Sequence, residues 1–284
     1  METKHSPPAF WLAGFFIFFY GCTSNPFGGD KISEEKRSIS GTIKLADQTS
    51  AKDVYVWLAG FNLGAHTDEQ GQFQLTLPPK GSQGTSAGVS GVFNLYPYLA
   101  NYYLDSAATV IQNGLFVYSR GDINKDGKLA ASKVLRRFLR ISTVVSPAVV
   151  SRNFSGNIGV TVTLEAVDDS STVIFPKSVG GLLGAVLFKR VGSEEVFVFE
   201  FSPGANTRDI TIIGRAPRSR VLIFNLLQVP LPPAQYEVIP YLLVRHQKLP
   251  KGLIESLAAN VEALGPDYLK LPFRREGGLL EVTP

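Results

Sequence analysis

Residues 158–165 alternate without a break, Ile158, Val160, Val162 and Leu164 against Gly159, Thr161, Thr163 and Glu165. Strand side chains point to opposite faces at a period of two, so this stretch can bury one face and wet the other only as a β-strand. Similar segments fall at 172–175, 183–190, 195–201, 208–213, 221–227 and 236–244. Short strands at this spacing predict a β-sandwich over residues 151–284. Composition agrees, since Phe 19 and Tyr 10 favour strands while Gly 27 and Pro 18 provide turns. A late helix is predicted over 252–264, with Leu253, Leu257, Val261 and Leu264 on one stripe. Residues 273–278 then read as a turn into an edge strand.

The amino-terminal half carries the same grammar. Ile39, Gly41, Ile43 and Leu45 share one face, and Val54, Val56 and Leu58 share another. Thr67-Asp68-Glu69-Gln70-Gly71 interrupts the pattern before Phe73, Leu75 and Leu77 resume it. Gly71 tolerates positive φ and Asp68 can bond the turn backbone, which predicts a β-meander. Gly41-Thr42-Ile43, Val54-Tyr55-Val56-Trp57-Leu58 and Thr67-Asp68-Glu69-Gln70-Gly71-Gln72-Phe73 resemble the carboxypeptidase regulatory-like domain, a transthyretin-like β-sandwich. The resemblance covers residues 37–80 and implies a non-catalytic stalk or binding unit. A small-residue loop at 80–90 stands where further strands of that family would follow.

Residues 91–118 are dense in aromatics, with Asn113-Gly114 marking a type I′ hairpin between 109–111 and 115–117. Tyr96, Tyr98, Tyr102 and Tyr103 are a candidate platform for a sugar or peptide. The alternative is that these rings fill a sandwich core.

At the amino terminus, Lys4 precedes 13 continuous apolar and aromatic residues, 9–21. As a helix they reach roughly 20 Å, short of the ~30 Å bilayer core, which predicts a signal peptide over 1–21. Phe19-Tyr20-Gly21-Cys22 resembles a bacterial lipobox, with Phe19 where Leu is usual and Tyr20 bulkier than the usual residue. The resemblance implies that the Cys22 thiol carries diacylglycerol, with acyl chains such as palmitate. The expected location is therefore the cell envelope, lipid-anchored, at the outer membrane if the source is Gram-negative. Cys22 is the only cysteine, so no intrachain disulfide can form. Residues 22–36 read as a polar tether, 37–118 as the regulatory-like sandwich, and 119–150 as a loop and helix before the second sandwich.

That loop holds Asp122, Asn124 and Asp126 at positions 1, 3 and 5, Gly127 at position 6 and the Lys128 carbonyl at position 7. It resembles the first half of an EF-hand or dockerin loop and implies a weak Ca²⁺ site. Lys133 stands at position 12, where an acidic ligand is usual. The same side chains also suit an Asx-rich turn. A helix is predicted over 129–141, with Ala131, Leu135 and Phe138 on one face and Lys133, Arg136, Arg137 and Arg140 mostly elsewhere. Its basic face could meet acidic phospholipid or a polyanion, or simply be solvated. The net charge of +4 is otherwise scattered, so no nucleic-acid partner is expected.

Catalytic sets are hard to assemble from this chain. The histidines are His5, within the leader, His66 and His246, and neither HExxH nor CxxC occurs. Asp168-Asp169 and Glu194-Glu195 are adjacent, so on a strand each pair would split between opposite faces. The expected function is a lipid-anchored envelope protein with a non-catalytic binding or adhesion role toward a glycan or an envelope protein. The alternatives are an envelope hydrolase or accessory subunit with dispersed carboxylates, and a purely structural scaffold.

Overall fold

The computed structural model describes residues 36–84 and 86–284. The predicted leader and the Cys22 anchor lie outside the described residues. The protein is mostly β, built of sandwich units.

In the first unit, β1 (Ser38–Leu45) pairs antiparallel with β4 (Gln72–Thr76) and parallel with β8 (Lys133–Leu135). The facing sheet runs in the order β3 (Leu63–His66), β2 (Tyr55–Leu58), β5 (Gly91–Tyr98), β6 (Ala107–Gln112) and β7 (Leu115–Phe116). Ile39, Ile43, Phe73, Leu75, Val56, Leu58, Leu95 and Ile111 fill the space between. The turns form for the reasons read from the residues. Asp68 Oδ1 accepts from the N–H of Gln70 at 3.0 Å and of Gln72 at 2.8 Å. Asn113 and Gly114 both have positive φ, 50° and 76°, matching the twist of the β6–β7 hairpin.

The second unit has three sheets. The largest runs β10 (Val149–Ser151), β20 (Leu279–Thr283), β17 (Ala234–Pro240), β13 (Ala185–Arg190) and β14 (Val196–Glu200). Another runs β16 (Arg218–Phe224), β11 (Ile158–Ala166), β9 (Leu139–Ser146) and β19 (Glu276–Gly277). The smallest runs β15 (Arg208–Ile213), β12 (Ser171–Pro176) and β18 (Leu243–Val244). The alternation that opened the sequence is β11, whose Ile158, Val160, Val162 and Leu164 are all buried.

The helix expected over 129–141 does not form. Leu135 enters the first core from β8, whereas Phe138, Leu139 and Ile141 enter the second, largely through β9. In β9 the buried residues Leu139, Ile141, Thr143 and Val145 follow a period of two. The near-helical spacing of Ala131, Leu135 and Phe138 therefore spans a crossing between two cores. The late helix is shorter than predicted. Only α1 (Leu253–Leu257) forms, ending where Ala258 turns extended.

Every side chain of β2 is buried. Val56 and Leu58 point into the first core, while Tyr55 and Trp57 point into the second. Tyr98 and Ala100 join them from the first unit. Tyr55 Oη lies 2.9 Å from Ser256 Oγ, and the Ala100 N–H donates to the Pro272 carbonyl at 2.8 Å. The two units thus share a continuous apolar seam.

Candidate functional site

A cleft of about 470 Å³ opens beside this seam. The loop after β1 contributes Asp47 and Thr49, the passage from β8 into β9 contributes Arg136, Arg137 and Arg140, and Asp168 and Glu276 complete the wall. Arg137 is the anchor, its side chain only 9% exposed. Its Nε donates to Tyr102 Oη at 2.8 Å, and its terminal nitrogens meet Asp47 Oδ2 at 2.9 Å and Glu276 Oε1 at 2.6 Å. Tyr102 Oη in turn donates to Asp47 Oδ2 at 2.7 Å.

These contacts fix the charge states. Burial disfavours an ionised Asp47, but hydrogen bonds from Tyr102 and Thr49 outweigh it and hold the carboxyl below its ordinary value. Burial, reinforced by the bond to Asp47, pushes the Tyr102 phenol upward. Burial opposes the Arg137 charge, yet bonds to Tyr102 and Glu276 raise its value. Asp47 and Arg137 are therefore a locked pair. The outer wall is open to a ligand. Tyr103 is 41% exposed, and the Arg136 guanidinium lies 5.3 Å from its ring centre. Arg forks, carboxylates and one aromatic face suit a polar, hydrogen-bonding ligand.

Of the tyrosines singled out in the sequence, Tyr102 belongs to this network and Tyr103 lies close against its wall. Tyr98 is buried in the seam, 5.5 Å from the His246 ring, and Tyr96 is half-buried, 6.1 Å from Trp57. In the calcium-like loop, Asp122 Oδ2 accepts from the Ala108 N–H at 2.7 Å. Asn124 Oδ1 accepts from Asp126 N–H at 2.9 Å and Lys128 N–H at 3.0 Å, and the Lys128 carbonyl accepts from Asn124 N–H at 2.8 Å. Lys133 sits on β8, its Nζ 4.0 Å from Asp105. Among the described residues no three His, Cys, Asp or Glu side chains converge to hold a metal.

Sequence reasoning missed Asp47 and Glu276. Each joins Tyr102 or Arg137 from 55 and 139 positions away. The adjacent arginines were visible, but their acidic partners carry no local signal.

His246 lies at the seam, with its Nε2 donating to the Ala100 carbonyl at 2.8 Å and its ring 5.2 Å from Phe138. Burial depresses its pKa, opposed by the Ala100 bond. The neutral ring satisfies that carbonyl, whereas a second proton would add a charge among aromatic rings. A folded value below the unfolded one of about 6.5 means that the unfolded chain binds the proton first. Stability from this group is thus complete above about pH 6.5 and is lost as pH falls toward the folded value. Urea denaturation at stepped pH is expected to show this decline in the parent and a smaller one in His246→Gln. Parallel curves for the two proteins would exclude His246 as its source.

No protein-family model matches the chain, and no curated protein matches it. Among solved structures, a variant of BcpA, the major pilin subunit of Bacillus cereus, matches at 12% identity over 76% of this chain and 60% of that one, with a TM-score of 0.25. The Bacillus anthracis TIE protein matches at 9% identity over 76% of this chain and 49% of that one, with a TM-score of 0.23. The chain therefore spans between about half and three-fifths of the length of these structures. Likeness at this level carries no functional inference.

Proposed function

We propose that the chain is an exported, envelope-anchored β-sandwich protein that binds a carbohydrate or protein ligand without catalysis. The observation that carries the binding role is the seam cleft, where Arg136, Arg140 and Asp168 line a wall around the Arg137–Asp47 pair, which Tyr102 backs, and the exposed Tyr103 ring lies against Arg136. An acid–base catalyst needs a group poised near the working pH. Here the Asp47 carboxyl is held low and the Tyr102 phenol high, which supports binding over proton transfer. Export and anchoring rest on the apolar run at 9–21 followed by Cys22. The meander at 37–80 would serve as a stalk, as its regulatory-like motif implies. Asp122, Asn124, Asp126 and the Lys128 carbonyl would hold Ca²⁺ weakly as a clip on their loop.

The test is a glycan and envelope-protein binding screen on the soluble 23–284 fragment, repeated with Tyr103→Ala and Arg136→Ala. Truncating a central Tyr or Arg contact costs about 2 kcal/mol or more, so a loss of roughly thirtyfold is expected for any ligand of this cleft. Binding that survives both changes places the ligand elsewhere. A screen without ligands favours a structural scaffold, the second reading, which burial of Tyr55, Trp57 and Tyr98 in the seam supports.

A further inference from the structure

A second cleft, of about 680 Å³, shares no lining residue with the first. Asp53 and His66 reach it from the first unit, Lys189, Glu194 and Glu237 from the second, and Arg274 and Arg275 from the segment before β19. Its two lysines are matched. Lys189 Nζ lies 3.8 Å from Glu194 and Lys270 Nζ 2.8 Å from Asp267. The two arginines differ, since neither makes an ion pair with a described carboxylate. Arg274 donates to the Lys52 carbonyl, and burial holds its pKa below the ordinary value.

Arg275 is the more informative residue. Its guanidinium lies 4.3 Å from the centre of the Phe273 ring and 5.6 Å from that of Tyr268. One terminal nitrogen donates to Tyr268 Oη at 3.3 Å. Its Nε is buried and has no acceptor. A guanidinium carries five N–H donors in a planar fork, and leaving buried donors unmade is costly. The fork is also held in place. The fully buried Asn101 accepts from the Arg274 N–H at 3.0 Å and donates to the Arg274 carbonyl at 2.9 Å. Backbone and ring contacts thus fix a cation that makes no ion pair with a described carboxylate, at the edge of a solvent cleft.

We propose that this cleft binds a compact oxyanion, a carboxylate or a phosphate, ligated by the Arg275 fork above the Phe273 ring. With Nε buried and one terminal nitrogen bonded to Tyr268 Oη, the donors offered to the cleft are the remaining terminal N–H groups, two of which match two oxygens of either group. Glu194, Glu237 and Asp53 around the opening repel extended polyanions, so the ligand is a small group with one or two charges. This site is independent of the ligand assigned to the seam cleft.

The test titrates the folded protein with sodium phosphate and, separately, sodium acetate at constant ionic strength, followed by calorimetry and NMR. A site built on one fork is expected to have a dissociation constant of about 1 mM, so the titration runs to ~50 mM. Saturable binding of either anion in the parent is expected, with phosphate and acetate arms separating the two ligand types. Arg275→Gln should weaken it at least about tenfold, the value of a lost charge-assisted bond. Arg152→Gln, at an exposed position that lines neither cleft, should bind like the parent. If Arg275→Gln does not fold, Arg275→Lys keeps the charge, loses the fork and should still bind more weakly. Failure of both anions to saturate overturns the proposal, as does parent-like affinity in a folded Arg275→Gln or in Arg275→Lys.

Discussion

Trp57→Ala is expected to destabilise the protein by about 3–5 kcal/mol, among the largest effects of any single truncation. The indole is 4% exposed and packs beside Gly252 and Tyr96. Its Nε1 is buried without an acceptor, so the substitution loses packing and leaves no new unmet partner. For a chain of this size the midpoint should fall by roughly 10 °C. Calorimetry also reports how the units respond. With a shared seam, the parent and the variant should each melt in one transition, and Trp57→Phe should recover much of the loss. A melt unchanged by Trp57→Ala would place the ring outside the seam.

Gly71→Val is the second large effect, and it acts through the backbone. Gly71 has φ +73°, and a Cβ built there lies 2.3 Å from the Ile43 carbonyl oxygen. That oxygen cannot yield easily, because the Ile43 N–H is bonded to the Gly71 carbonyl at 2.8 Å. Left-handed strain costs about 1–3 kcal/mol for a β-branched residue, and relieving the clash must also part the turn from β1. A total of about 3 kcal/mol or more is expected in urea denaturation. Gly81→Ala provides the comparison, since nothing lies within 4 Å of its added Cβ. Equal stability of the two variants would remove the tight turn at 67–71 from the account.

The β-pattern was legible wherever a strand has one wet face. β11 and β4 display their period of two openly, and Asn113-Gly114 announces its hairpin. Legibility failed where one stretch serves two cores. Leu135 and Phe138 belong to different clusters, so their three-residue spacing mimicked one helical face. In β2, Tyr55-Val56-Trp57-Leu58 is apolar throughout, and a continuous run does not reveal which neighbour each face meets. The cleft was half visible. The aromatic and basic residues stood out, but the acids that set their charge state come from distant positions, and burial decides which tyrosine faces water.

A strand without a solvent side changes how this protein can carry load. Between the units lies a common wall in place of a slack linker, and neighbouring residues of that wall, Val56 and Trp57, grip opposite halves. Tension applied across the two halves cannot be relieved by stretching a connector, and must tear apolar contacts along the whole wall at once. The clefts that open beside it are therefore expected to keep their spacing under pull.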